Sequence, residues 1–162
     1  MQVEFATDDF SDWVALRRLL QYAFAYMDSR IDPPSSLHLL STDGLRDKST
    51  RESLIIATES GELVGCAFAD IRENCIYVGK VAVSEHVRGR GVARQLLAAV
   101  ESLAKNRNIR VLELQTRIEL TENHRTFEAL GFRTVAQTSH PGYTRATSIT
   151  MQKDIAFMPD NA

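Results

Sequence analysis

One stretch of the sequence, residues 81–94, constrains the fold more than any other. It begins with Val81-Ala82-Val83, an apolar run typical of a β-strand. A polar turn that contains Gly89 and Gly91 follows, and then apolar residues recur at helical spacing, namely Ala93, Leu96, Leu97, Val100, Leu103 and Ala104. The order of strand, glycine turn and helix predicts an anion-binding site where the helix begins.

The residues of this turn indicate which anion it binds. The first turn of a helix leaves backbone N–H groups unpaired, and the helix dipole favours negative charge there. Gly89 and Gly91 let a ligand approach the backbone, because they carry no Cβ. Arg88, Arg90 and Arg94 add positive charge. Together these features predict a pyrophosphate site.

The glycine spacing has other interpretations. A P-loop requires a lysine followed by serine or threonine, and neither pair ends this turn. A dinucleotide-binding turn follows its strand directly, whereas residues 84–88 intervene here and Arg94 stands at the last motif position. Glu113 lies near the expected acidic position but inside the next strand pattern. The remaining alternative is a loop that leads into a helix and carries solvated arginines.

Two motifs resemble those of one enzyme superfamily. Arg88-x-x-Gly91-x-Ala93 resembles the (Gln/Arg)-x-x-Gly-x-(Gly/Ala) signature of the N-acetyltransferase (GNAT) superfamily. Residues 120–132 resemble its downstream block, Glu-Asn-x-x-x-Tyr-x-x-Leu-Gly-Phe. Both occur in the superfamily's order and spacing, and the resemblance covers roughly residues 53–154.

The resemblance implies a mixed α/β fold, with a central, mostly antiparallel sheet, one splayed parallel strand pair and about four helices. The strand–helix–strand pattern around the glycine turn agrees, because such a connection joins parallel strands. We expect a single domain over residues 1–156 and a tail over residues 157–162. Further helices are expected over residues 10–26, capped by Asp8 or Asp9, over 39–48, and over 121–130, capped by Thr121 and followed by Gly131 in the left-handed position. Strands are expected over residues 3–5, 53–59, 62–69, 75–83, 110–116, 132–139 and 147–151, with a hairpin turn at Ser60-Gly61.

The resemblance also implies how acetyl-coenzyme A binds. The backbone of Val81 and Val83 should pair with the pantetheine arm, and the turn amides should hold the pyrophosphate. Asn123 matches a superfamily asparagine that contacts the coenzyme, although hydrogen bonding at a helix N-terminus is the alternative role. The implied coenzyme-binding residues are Val81, Ala82, Val83, Arg88, Gly89, Arg90, Gly91, Val92, Ala93, Arg94, Asn123 and Phe127.

The catalytic groups depart from the superfamily pattern. Phe127 stands where many relatives have a tyrosine that protonates the leaving thiolate, and phenylalanine has no proton to donate. Either another group donates, or the thiolate leaves unassisted, which a thiol pKa of about 8.5 permits. Candidates for water-mediated proton transfer are Tyr77, Glu119, His140 and Tyr143, of which Tyr77 and Tyr143 are the predicted catalytic residues.

The loop between the first two helices should form one wall of the acceptor site, by the same resemblance. Arg30, Asp32 and His38 are the predicted acceptor-binding residues, with Ser35 and Ser36 as further candidates. An ordinary loop, in which Asp32 or Ser36 bonds to backbone amides, is the alternative.

Composition limits the partners of the chain. A net charge of −2 implies no extended basic face, so nucleic acid is not an expected partner. Cys66 and Cys75 form no C-x-x-C motif, which favours reduced thiols and a cytoplasmic location. The four histidines show no metal-ligand spacing, and no apolar run reaches membrane-spanning length. We expect neither a metal nor a membrane partner, and the superfamily resemblance allows a homodimer.

The predicted function is acetyl transfer from acetyl-coenzyme A to the primary amine of a small or amino-acid-like acceptor, by direct attack in a ternary complex. Two alternatives stay open. The chain could be a coenzyme A-binding module that has lost catalysis, with Phe127 as the warning sign. It could also acetylate the N-termini of peptides or proteins, which would require an open acceptor groove.

Overall fold

The computed structural model describes residues 1–156, except the side chains of Leu37 and His38. The predicted tail, residues 157–162, lies outside the described residues. The strands are β1 (Gln2–Phe5), β2 (Ser53–Glu59), β3 (Glu62–Ile71), β4 (Ile76–Val83), β5 (Val111–Arg117), β6 (Arg133–Thr138) and β7 (Ser148–Asp154). The α-helices are α1 (Trp13–Phe24), α2 (Thr42–Arg51), α3 (Val92–Asn106) and α4 (Thr121–Ala129).

The strands form one sheet in the order β1-β2-β3-β4-β5-β7-β6. Neighbouring strands are antiparallel except β4 and β5, which are parallel, so the predicted mixed α/β fold is confirmed. The parallel strands pair only through Ile76 with Leu112 and Tyr77 with Glu113. Beyond Tyr77 the two strands therefore separate and leave a gap in the sheet.

A β-bulge lies in β4 beside this gap. Cys66 on β3 pairs with Ala82 and Phe68 pairs with Gly79, so β4 has one extra residue opposite Ala67. Lys80 lies in the bulge and has a φ of +50°. Since a bulge bends its strand and increases the local twist, it turns the end of β4 away from β5.

Two apolar cores cover the two faces of the sheet. Helix α3 packs in one core, where the predicted residues Leu96, Leu97, Val100 and Ala104 are buried. Of the other two predicted residues, Leu103 is partly buried against this core and Ala93 is half-buried, while Val92 is the buried residue of the first turn. Helix α1 packs on the other face through a core that includes Trp13, Leu16, Leu20 and Phe68. Helix α4, by contrast, has no fully buried residue.

The first two helices begin later than predicted. The predicted Asp8 or Asp9 cap is wrong, because α1 begins at Trp13 after a turn in which the Phe10 N–H donates to the Thr7 carbonyl. Helix α2 begins at Thr42 because the Ser41 Oγ accepts the Gly44 N–H at 3.0 Å. Residues 36–39 form a separate 3-10 helix.

The ends of α4 match the prediction only in part. Thr121 is not the cap, since it lies in the first turn and Leu120 occupies the N-cap position without a side-chain hydrogen bond. Gly131 follows the helix with a φ of +99°, as predicted for the left-handed position there.

Candidate active site

A cavity of about 1040 Å³ follows the gap between β4 and β5. Its walls come from β4 and β5, the start of α3, the cavity-facing side of α4 and the segment after α1. The predicted coenzyme-binding residues all line it except Arg90. Residues that are far apart in the sequence thus meet along one continuous space.

The glycine turn forms one end of the cavity. Gly89 and Gly91 have φ values of +79° and +80°, a left-handed conformation that favours glycine, and Gly91 is the N-cap of α3. No protein atom lies within 4 Å of the position where a Cβ would stand at either glycine. The amides of the α3 first turn are therefore accessible to an anion, and the residues fit a pyrophosphate.

The three arginines of this region have different positions. Arg88 and Arg94 line the cavity. Arg90 instead forms an ion pair with Glu59 on β2, with an Nη2–Oε2 distance of 3.1 Å. The role predicted for Arg90 in coenzyme binding stays a prediction.

Helix α4 directs Asn123 and Phe127 toward the same cavity. The Asn123 Oδ1 accepts a hydrogen bond from the Tyr26 hydroxyl at 3.3 Å. The Phe127 ring packs edge-on against Phe132, with ring centroids 5.8 Å apart. Their four-residue spacing places both side chains on one helix face. Tyr26, just after α1, is a cavity residue that the sequence pattern did not single out.

Tyr77 lines the cavity at the point where β4 and β5 separate. The Arg72 guanidinium lies 4.4 Å from its ring centroid. Burial raises the pKa of the Tyr77 hydroxyl above its usual value of 10.0. Tyr77 therefore keeps its proton at neutral pH and is a hydrogen-bond donor rather than a base.

Tyr143 lies in the loop between β6 and β7, and it is not among the residues that line the cavity. Its hydroxyl donates to the Asp32 Oδ1 at 2.7 Å, and this hydrogen bond raises the pKa of Tyr143. Arg145 donates to the Asp32 carbonyl at 3.0 Å. The structure therefore connects Tyr143 to the acceptor loop, and its predicted catalytic role stays a prediction.

The acceptor loop, residues 28–36, is held by the segment around the start of α4. Arg30 forms a bidentate ion pair with Glu122, with an Nη2–Oε2 distance of 2.9 Å. This hydrogen bonding lowers the pKa of Glu122 to about 2. The Glu119 Oε2 accepts the Asp32 N–H at 3.1 Å. Arg30 and Asp32 thus have protein partners, and their predicted contact with an acceptor stays a prediction.

Arg117 at the end of β5 holds the proline pair of the same loop. Its Nη1 donates to the Pro33 carbonyl at 2.8 Å, and its Nη2 donates to the Pro34 carbonyl at 3.2 Å. The peptide bond between Asp32 and Pro33 is cis. Of this loop, Ser35 and Ser36 line the cavity, whereas the charged residues Arg30 and Asp32 do not. The side chain of His38 lies outside the described part of the chain.

Of the four candidates for proton transfer, His140 and Tyr77 line the cavity. The His140 Nδ1 forms a hydrogen bond with the Thr147 Oγ1. Burial lowers the pKa of His140 below 6.5, which favours the neutral ring. Glu119 directly precedes the cavity residue Leu120, and its Oε1 is buried with no hydrogen-bond partner among the described residues. A neutral histidine and a carboxylate can each accept a proton.

One of the two cysteines is buried in the core. Cys66 is buried, and burial raises the pKa of its thiol to about 12. Among the side chains that the structure describes, no group of three His, Cys, Asp or Glu residues could hold a metal ion. No described helix is long and apolar enough to cross a membrane.

Comparison with known proteins identifies the class of this protein. The sequence model of the acetyltransferase (GNAT) family matches residues 13–132. The chain therefore belongs to this family, and the resemblance seen in its two motifs is confirmed.

Individual relatives agree with this assignment. N-acetylaspartate synthetase of Danio rerio is 33% identical over 104 residues, which are 61% of this chain and 37% of that protein. The matched segment thus spans just over a third of the relative's length. The PaiA N-acetyltransferase from Thermoplasma acidophilum in complex with coenzyme A superimposes with a TM-score of 0.79 at 14% identity, covering 95% of this chain and 99% of that one. An aminoglycoside 6'-N-acetyltransferase complexed with coenzyme A superimposes with a TM-score of 0.76 at 16% identity, covering 99% of this chain and 100% of that one. Because both structures are less than 25% identical to this chain, they establish its fold alone.

Proposed function

We propose that this protein transfers the acetyl group of acetyl-coenzyme A to the primary amine of a small, amino-acid-like acceptor, by direct attack in a ternary complex. The continuous cavity is the observation that carries this proposal. It joins the glycine turn at the start of α3 to the acceptor loop through the gap between β4 and β5. Two substrates bound at its two ends can meet, and such positioning supplies much of the rate acceleration of a bimolecular transfer.

The coenzyme end is assigned to the glycine turn and β4. The amides of residues 89–94 would bind the pyrophosphate, with Arg88 and Arg94 adding charge. Since β4 pairs with β5 only through Ile76 and Tyr77, the backbone of residues 81–83 has room for the pantetheine arm. A backbone N–H near Val83 would then stabilise the oxyanion that forms on the thioester.

The proton steps use groups near the acceptor end. The amine must lose a proton to attack, and His140 and Glu119 are the bases that we propose, acting directly or through water. Tyr77 keeps its proton, so we assign it as a donor that can assist the leaving thiolate. This choice accounts for Phe127 at the usual tyrosine position, because another donor is then available in the cavity.

The acceptor class is taken from one relative. The match to a protein named N-acetylaspartate synthetase favours an amino acid over an aminoglycoside or a peptide. A cytoplasmic location, a single domain and a homodimer stay predictions from the sequence.

The test measures release of the coenzyme A thiol with a panel of amino acids, polyamines, aminoglycosides and short peptides, and detects each acetylated product by mass spectrometry. We expect turnover with amino acids. Turnover with peptide N-termini alone would contradict the acceptor class. Coenzyme binding by calorimetry without turnover on any amine would identify a binding module that has lost catalysis.

A further inference from the structure

Lys80 is a charged cavity residue that the proposed reaction does not yet use. It lies in the β4 bulge, directly before Val81, and it lines the cavity beside the gap in the sheet. Its φ of +50° is uncommon for a residue with a side chain. The bulge thus places a lysine in the cavity wall, directly before the strand segment that we assign to the pantetheine arm.

The groups around Lys80 leave its positive charge uncompensated. Among the residues that the structure describes, no carboxylate forms an ion pair with Lys80. Lys48 on α2 and Glu52, which directly follows that helix, are nearby, but these two pair with each other at 2.6 Å. On the β3 side lies the Cys66 thiol, whose pKa of about 12 keeps it neutral. Two lysines and one glutamate therefore leave one net positive charge.

Half-burial makes this charge costly without a partner. A charged group removed from water is destabilised unless an opposite charge or hydrogen bonds compensate it. Burial and the nearby Lys48 accordingly lower the pKa of Lys80. A carboxylate in the cavity would compensate the charge and restore the favourable ionised form.

Two arginines in or near the acceptor loop already have partners within the chain. Arg117 donates to the carbonyls of Pro33 and Pro34, and Arg30 is paired with Glu122. We therefore infer that the acceptor carries a carboxylate that binds the Lys80 ammonium. The inference rests on the proposed acetyl transfer and adds to it the residue that recognises the carboxylate of an amino-acid-like acceptor.

The test compares paired acceptors that differ only in one carboxylate. L-alanine and L-alaninamide test the α-carboxylate, and L-aspartate and L-asparagine test the side-chain carboxylate. Kinetics are measured with the wild type, Lys80→Met, Lys80→Arg and the control Lys105→Met, an exposed lysine in the last turn of α3.

For Lys80→Met we expect KM for the carboxylate-bearing acceptor to rise at least about tenfold, since a charge-assisted contact is lost, while KM for its amide stays nearly unchanged. Because each acceptor is compared between wild type and variant, differences in amine pKa cancel. Lys80→Arg should keep most of the preference, and Lys105→Met should match the wild type. Equal effects of Lys80→Met on both members of every pair would overturn the inference but leave acetyl transfer intact.

A binding measurement separates this inference from the proposed function. Calorimetry of the coenzyme A-bound protein with succinate and succinamide needs no turnover. We expect succinate to bind the wild type more tightly and to lose that advantage in Lys80→Met. Absence of turnover on any amine would refute the proposed function, whereas equal binding of succinate and succinamide would refute carboxylate recognition itself.

Discussion

A single methyl group at Gly91 tests the assignment of the coenzyme site. Gly91 has a φ of +80° at the N-cap of α3. Gly61, in the turn between β2 and β3, has a φ of +79° and provides a matched control. At both positions a Cβ would meet no protein atom within 4 Å. Alanine therefore introduces the same backbone strain and no clash at either site.

The expected magnitudes follow from this match. A left-handed conformation costs an L-residue about 1–2 kcal/mol, so Gly91→Ala and Gly61→Ala should lower the free energy of unfolding by similar amounts. Only at Gly91 does the added Cβ occupy the surface that we assign to the pyrophosphate. There we expect the Kd for coenzyme A to rise at least about tenfold, or about 1.4 kcal/mol of binding free energy. The Gly61 variant should keep the wild-type Kd.

Urea denaturation measures the stability of both variants, and isothermal titration calorimetry measures coenzyme affinity. A folded Gly91→Ala protein with the wild-type Kd would refute the assignment of the glycine turn. An equal loss of affinity in Gly61→Ala would show that the effect comes from general destabilisation rather than from the site.

Three further predictions concern the acceptor end and α4. Phe127→Tyr should change kcat by less than about threefold, because acid catalysis accelerates only a limiting proton transfer, whereas Phe127→Ala should raise the coenzyme KM by about tenfold through lost packing. Tyr143→Phe should raise the acceptor KM by about threefold with no change in coenzyme Kd, since it removes the hydrogen bond to Asp32. The pKa of His140 is lowered from 6.5, so its contribution to stability is present above pH 6.5 and lost as the pH falls through the folded pKa. His140→Gln should therefore lessen the loss of unfolding free energy in acid, measured by denaturation at several pH values.

Local sequence signals predicted the sheet and the coenzyme end. Ser60 and Gly61 both have positive φ values in the observed β2–β3 turn, where the sequence placed a hairpin. The parallel pairing of β4 and β5 followed from the strand–helix–strand pattern, and α3 followed from its apolar spacing. In each case the residues that determine the structure are close in sequence, so their pattern can be detected without the fold.

The acceptor end depends on contacts between distant residues. Tyr143 meets Asp32 across 111 positions, and Arg30 meets Glu122 across 92 positions. No local pattern records such pairs, so Arg30 and Asp32 could be identified as loop residues but not as members of these contacts. Lys80 was missed for a related reason, because its place in the cavity comes from the shifted register between β3 and β4.

These contacts give the charged residues of the acceptor end two separable roles. Arg30 and Asp32 form ion pairs or hydrogen bonds with other residues of the chain. Their replacement should therefore displace the loop and weaken the binding of every acceptor to a similar extent. Lys80 has no such partner among the described residues, so its replacement should weaken the binding only of acceptors that carry a carboxylate. Measuring KM for L-alanine and L-alaninamide with Asp32→Ala and Lys80→Met therefore distinguishes positioning of the loop from recognition of the substrate. A selective effect of Asp32→Ala on L-alanine would show that the loop itself recognises the carboxylate, and would contradict this division of roles.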